Sequence, residues 1–238
     1  MGNKIKAILI DSGRVLNEPV TGHLFITPNF FKYVNKTTFG AIPHSKVKMA
    51  FSKATEYISN QKSIVNLDEE YFHFRKYYDI FFNYLPALGV NNTKIENVTK
   101  DLVFNPNKYG FYKDVYDVIP RLGKDYKLAV VSDAWPSLEE VFITAGLREY
   151  FSSFIISSVL GTNKPDEFMY KSAIDELGVS VEETVFIDDN IVNFNGANKL
   201  GINSFLMCRE YKYYLYLKLT CRKYKVIHRL ESIEKLIR

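Results

Sequence analysis

Three short apolar runs in this chain each stop at an aspartate, and that recurrence restricts the fold more than any other feature. Ile5-Lys6-Ala7-Ile8-Leu9-Ile10 runs into Asp11, Leu128-Ala129-Val130-Val131 into Ser132-Asp133, and Thr184-Val185-Phe186-Ile187 into Asp188-Asp189. A fourth run, Phe154-Ile155-Ile156, is followed by Lys164-Pro165. Short β-rich runs alternating with helical stretches predict a parallel sheet. In such a sheet the carboxyl ends of the strands share one edge, and ligands bind in the crevice there. Carboxylates, a hydroxyl and an ammonium would converge on that edge, a group that suits a hard divalent cation together with a phosphate.

The first strand, Lys4 to Ile10, leads into Asp11-Ser12-Gly13-Arg14-Val15-Leu16, where Gly13 permits a sharp turn. From Asn17 to Phe111 the strand–turn rhythm is lost, and Phe, Tyr and Lys are frequent. Two helices are expected there. One covers Lys46–Ser59, with Val47, Ala50, Phe51, Ala54 and Ile58 at helical spacing; the other covers Asp68–Phe82, with Asp68 as N-cap and Phe74, Tyr78, Ile80 and Phe81 on one buried face. The turn-rich stretch Phe104–Gly110 marks the return. From Val115 onward, helices at 115–122, 137–145, 167–177, 191–200 and 232–237 alternate with strands at 128–131, 154–157, 184–187, 204–207 and 225–227. Ser137 and Glu140 have capping-box spacing. The fold class is therefore α/β: a doubly wound parallel-sheet, Rossmann-like core (residues 1–16 and 112–238) carrying an inserted α-helical cap (17–111).

The 238 residues, 47% hydrophobic, suffice for a sizeable core. A net charge of +4 comes without a nucleic-acid motif, so no nucleic-acid partner is expected. No run is long enough for a signal-peptide core or a membrane span, and Cys208 and Cys221 lack metal-type spacing. The expectation is a reduced, cytoplasmic protein without a membrane partner. His23, His44, His73 and His228 show no metal-ligand spacing, which argues against zinc. The stretch Tyr211–Leu219 suits a helix packed on the core or on a second subunit, as in a homodimer, better than a base-stacking or membrane surface.

In this order the motif residues resemble the haloacid dehalogenase-like superfamily across the whole chain. That family has a nucleophilic Asp after its first strand (Asp11), a Ser or Thr after a second (Ser132 in Val130-Val131-Ser132-Asp133), a Lys before a helix (Lys164 in Asn163-Lys164-Pro165-Asp166) and an acid pair after a further strand (Asp188-Asp189). The insertion after the first motif is similar to the helical cap of its phosphatase and dehalogenase branch. The resemblance implies a small phosphorylated substrate, Mg2+ as cofactor, Asp11 as nucleophile, and Ser132 and Lys164 as catalytic groups on the phosphate, with Asp133 and Arg14 joining them in substrate binding. It implies metal ligation by Asp11, the Gly13 carbonyl and Asp189, with Asp188 as ligand or immediately behind. Blander roles compete: a turn-capping Asp11, a turn glycine, an ST-turn serine, a surface lysine, and an acid pair that caps a helix, although two adjacent acids exceed what capping needs. Asn193 is expected either to orient the site or to be an N-cap or exposed amide.

Gly13 departs from the family pattern, because family phosphatases carry a second Asp there as general acid and base. The Asp-x-Gly-x-Val form is similar to a subgroup of sugar-phosphate phosphatases. General acid–base help is worth roughly 10²–10⁴-fold in rate, so turnover is affected more than binding. His23, Glu18 or His44 could reach over from the insertion as substitutes, although an ordinary cap role is the favoured reading of each. The leading expectation is a Mg2+-dependent phosphomonoesterase acting on a small metabolite such as a sugar phosphate. The alternatives are a catalytically weak binding or regulatory protein, and metal-independent 2-haloacid dehalogenation, against which the acid pair argues.

Overall fold

A computed structural model describes residues 4–61 and 63–237; the ends of the expected core, residues 1–3 and 238, lie outside them. The described strands are β1 (Ala7–Ile10), β2 (Asn17–Pro19), β3 (Tyr109–Phe111), β4 (Lys127–Ser132), β5 (Ser153–Ile156), β6 (Thr184–Asp188), β7 (Asn203–Met207) and β8 (Val226–Ile227). Six of them form one sheet in the order β5-β4-β1-β6-β7-β8, and β2 and β3 form a two-stranded ribbon. Every neighbouring pair in the large sheet is parallel.

The chain divides into two compact units: one takes the residues up to Glu18, Phe111–Ala134 and those from Phe142 onward, the other Pro19–Gly110 and Trp135–Val141. In the first unit Ala7, Ile8, Leu9 and Ile10 are all fully buried. Helices cover both faces of such a sheet, which is why its strands are continuously apolar rather than alternating. Ala7, Leu9, Ala129 and Val131 pack with Met169, Tyr170, Ala173, Ile174 and Leu177 of the helix Glu167–Leu177. Strand order reverses at β1, which has β4 on one side and β6 on the other. Side chains leaving the carboxyl ends of these three strands therefore meet.

The second unit has an aromatic core built by the helices His44–Ser59, Leu67–Asn83 and Asn92–Phe104 around Phe30, Phe74, Tyr77, Tyr78, Phe81 and Phe82. The helix Asn92–Phe104 was not expected, although Ile95, Val98, Thr99 and Leu102 are buried at helical spacing behind the N-cap Asn91. Three expectations are corrected. Asn66, not Asp68, caps the Leu67–Asn83 helix, accepting from the Glu69 N–H at 2.9 Å, and Ile80 is only partly buried. Ser137 makes no capping box with Glu140; its N–H and hydroxyl donate to the two Glu70 carboxylate oxygens at 2.7 and 2.5 Å. That anchor, with Trp135 against Phe74 at a 4.9 Å centroid distance, is why Trp135–Val141 pack with the second unit rather than with the core segment around them.

Candidate active site

The first unit brings Asp11, Ser132, Lys164, Asp188 and Asp189 to the carboxyl edge of β1, β4 and β6. Asp11 follows β1 directly, with its N–H donating to the Ile187 carbonyl at 2.9 Å. Ser132 ends β4 and Asp188 ends β6, both buried. The Lys164 ammonium is the hub: it donates to Asp11 Oδ1 at 2.6 Å, Asp188 Oδ2 at 2.7 Å and the Val131 carbonyl at 2.9 Å. Its segment is held by Asp133 Oδ1, which accepts the Lys164 N–H at 2.9 Å. Asp133 thus supports the Lys164 segment.

The two members of the acid pair differ. Asp188 is fully buried and occupied: Oδ1 accepts the Asn190 N–H at 2.7 Å, and Oδ2 accepts Asn193 Nδ2 at 3.1 Å besides Lys164. Asn193 is therefore neither N-cap nor exposed amide. It is buried, holds Asp188, and offers its carbonyl to the Tyr170 hydroxyl at 3.0 Å, while Asn190 caps the helix. Asp189 remains partly exposed and pairs with Arg14, Nε to Oδ2 at 2.8 Å. Ligand oxygens of Asp11, Asp188 and Asp189 lie within 4.8 Å of one another.

These distances make the site electrostatically unbalanced. Burial, above all, pushes the Asp11 carboxyl up to about 7; Lys164 pulls it down, and Asp188 and Asp189 push it further up. Burial alone would lower the Lys164 ammonium, but Asp11, Asp188 and Asp133 outweigh it and hold the group above its ordinary value. Asp189 is raised by burial, with Arg14 opposing and Asp188 assisting. A cluster with more carboxylates than buried cations either binds protons or binds a further cation.

Two glycines shape the site. A Cβ built on Gly13 would meet Asp11 Oδ2 at 4.0 Å and nothing nearer. The space at position 13 is therefore open and faces the Asp11 carboxylate. Gly196, which sequence reasoning missed, lies in the helix Ile191–Lys199; a Cβ there would come within 2.5 Å of Pro165 Cβ. Its signal was available, since glycine inside a helix costs about 1 kcal/mol relative to alanine and needs a reason.

Of the three substitutes considered for the acid, Glu18 is in the same unit as Asp11, accepts the Tyr112 hydroxyl at 2.9 Å, and lines a pocket of about 610 Å³ together with Asp189, Arg14 and Arg209. His23 and His44 belong to the second unit. No helix among the described residues is long and apolar enough to cross a membrane.

Among curated proteins, the glyceraldehyde 3-phosphate phosphatase of Methanopyrus kandleri is 29% identical over 107 residues, 42% of this chain and 46% of that protein. The chain thus spans less than half the length of this relative. Among solved structures, the 2-haloacid dehalogenase of Pseudomonas syringae pv. Tomato aligns with a TM-score of 0.67 at 15% identity over 98% of both chains. A HAD-hydrolase of Bacillus subtilis bound to magnesium aligns with a TM-score of 0.64 at 14% identity, over 99% of this chain and 100% of that one. At such identities the structural likeness speaks to the fold. The family model of the haloacid dehalogenase-like hydrolases matches residues 45–207, more than half of the chain and the segment holding Ser132, Lys164 and the acid pair, and this chain belongs to that family.

Proposed function

We propose that this hydrolase is a Mg2+-dependent phosphomonoesterase working through an aspartyl-phosphate on Asp11. The observation that carries the proposal is the Lys164 hub: one buried ammonium within 2.7 Å of both Asp11 and Asp188, beside a third carboxylate. Its all-oxygen donor set and surplus negative charge fit a hard divalent cation. Asp11, Asp189 and the Gly13 carbonyl would hold Mg2+, with Asp188, whose oxygens are taken by protein donors, behind them. When bound, the ion supplies neutralisation of phosphoryl charge.

Asp11 attacks phosphorus, and the bond from phosphorus to the leaving oxygen breaks as the new bond forms. Lys164 neutralises the phosphoryl oxygens and holds the Asp11 carboxylate in place; Ser132 donates a hydrogen bond to them. The leaving alkoxide takes a proton from solvent, which the water that next attacks later returns. Water then attacks phosphorus, the bond to Asp11 breaks, inorganic phosphate leaves, and Asp11 is restored. The substrate is a small phosphorylated metabolite such as a sugar phosphate, a class to which the name of the Methanopyrus relative also points.

One observation favours a second reading, slow turnover in a protein that mainly binds its ligand: no acid stands at Gly13, where the space beside Asp11 is open. Hydrolysis of nitrophenyl phosphate with Mg2+ and with a chelator separates the two. Mg2+-dependent release is expected, and Asp11→Asn should lower kcat/KM by about 10³-fold or more in a folded protein. Near-native activity in that variant removes Asp11 from the mechanism. Absence of hydrolysis in the native protein leaves the binding role.

A further inference from the structure

Among the described residues, Arg14 is the non-glycine residue with a positive φ, 56°. Residues with a side chain rarely adopt that conformation, and it persists where the surroundings enforce it. Here a tight turn does so. The Arg14 N–H donates to the Asn17 carbonyl at 2.6 Å, the Leu16 and Asn17 N–H groups donate to the Ser12 carbonyl at 2.8 and 3.1 Å, and Asn17 Nδ2 donates to Ser12 Oγ at 2.7 Å. The turn begins at the nucleophile and delivers the Arg14 guanidinium to Asp189. It thereby reaches the one member of the acid pair that the buried lysine does not take, since Lys164 pairs with Asp188.

We propose that Arg14 shares the Asp189 carboxylate with the divalent cation and so sets the metal affinity of the site. This rests on the metal reading given above. Two cations on one carboxylate repel each other, and an oxygen that faces Nε is a poorer donor to a metal. The contact is built to yield: the Arg14 side chain is 74% exposed and that of Asp189 19%. Solvent screens such a pair, so the cation can compete with it, at a cost. Arg14 is thus a positioning residue that keeps Asp189 oriented without the ion and weakens the ion's hold when it arrives.

The test is calorimetric titration of Mg2+ alone into the whole chain, with no substrate present, for the native protein, Arg14→Gln, Arg14→Lys and Asp189→Asn. Arg14→Gln should bind Mg2+ roughly threefold to tenfold more tightly. Arg14→Lys, which keeps the charge, should stay near the native value, and Asp189→Asn should lose binding. Unchanged or weaker binding in Arg14→Gln, with binding still lost in Asp189→Asn, overturns the role of Arg14 and leaves the metal site standing. Equal tightening in Arg14→Lys also overturns it, because charge would not be the cause. If the folded native protein binds no Mg2+, the metal reading itself fails and this inference falls with it.

Discussion

The two units each bury a lysine, and the two lysines behave oppositely. Lys164 and Lys108 are 7% and 8% exposed, so depth does not separate them. Lys164 donates directly to two carboxylates and is held above its ordinary pKa. Lys108 donates to the Leu102 carbonyl and to Ser137 Oγ, each at 2.6 Å, and reaches the Glu70 carboxylate only through that hydroxyl. Burial pushes Lys108 down to about 8, with Glu70 and Asp101 opposing, and burial pushes Glu70 up. What distinguishes the two is the count of carboxylates and whether they are already spent. Around Lys108 two acids are already spent, Glu70 on Ser137 and Asp101 on Asn29 and Asn105, and the group closes as a structural tie. Around Lys164 the acids outnumber the base, and that imbalance is what a site needs in order to take up a ligand.

Removing each ammonium in turn tests this contrast most severely. Lys164→Met should lower kcat/KM on the order of 10²–10³-fold, the usual effect of deleting a preorganised donor to transition-state charge. Lys108→Met should leave kcat/KM of the folded protein within about threefold, a margin for indirect effects, yet lower stability by about 3–5 kcal/mol, because Glu70 loses its counter-charge in a buried setting. Steady-state kinetics and denaturant melts on both variants decide it. Activity loss in Lys108→Met without a change in stability would erase the distinction.

Gly13→Asp adds an acid to the side that already has a surplus. Its Cβ has room, so the variant should fold, and kcat/KM for poor leaving groups such as sugar phosphates should rise by about 10²-fold, with a smaller gain for nitrophenyl phosphate. The measurement is kcat/KM against leaving-group pKa in both proteins. A flat dependence in the native protein with no gain in Gly13→Asp would place the acid elsewhere, with Glu18 the first residue to mutate.

The smallest effect is in pH. The folded pKa of Lys108, about 8, lies below its unfolded value of about 10.4, so the unfolded chain binds more protons between these limits. Stability from this group therefore rises as pH climbs from 8 toward 10, on the order of 2 kcal/mol. Lys164, raised instead, contributes stability that is present below about pH 10.4 and is lost only above it. Thermal melts of the native protein and Lys108→Met between pH 7 and 10 should diverge, the native curve gaining. Parallel curves would show that Lys108 keeps its ordinary pKa.

Much of the candidate site was legible in the sequence for a simple reason. β1, β4 and β6 are buried on both faces, so their apolar runs stand out, and each stops where the backbone leaves the sheet at a polar residue. The preference for Asp189 over Asp188 as metal ligand came from the resemblance. The hydrogen bonds that occupy Asp188 and leave Asp189 partly open could not be seen in the chain. Less legible were contacts between residues far apart in sequence. Ser137 has capping-box spacing with Glu140, yet its partner is Glu70, sixty-seven positions away. Arg14 and Asp189 are adjacent in space and remote in the chain, and only the turn at Ser12–Asn17 brings them together. The helix Asn92–Phe104 was lost among frequent polar residues, although its buried positions follow the helical period.

Gly196 acts as a spacer gauge. The helix that begins just after Asp189 lies against Pro165, the residue next to Lys164, with clearance for a hydrogen and none for a methyl group. The distance between the ammonium and the acid pair is thus calibrated by the thickness of one absent carbon atom, seven residues beyond the acids and thirty-one beyond the proline. A helix is stiff over such a span, so an error of an ångström at position 196 would be passed along it to the carboxylates instead of being absorbed on the way. The tolerance of the carboxyl edge is in this sense machined outside it, at a residue that has no side chain to offer any ligand.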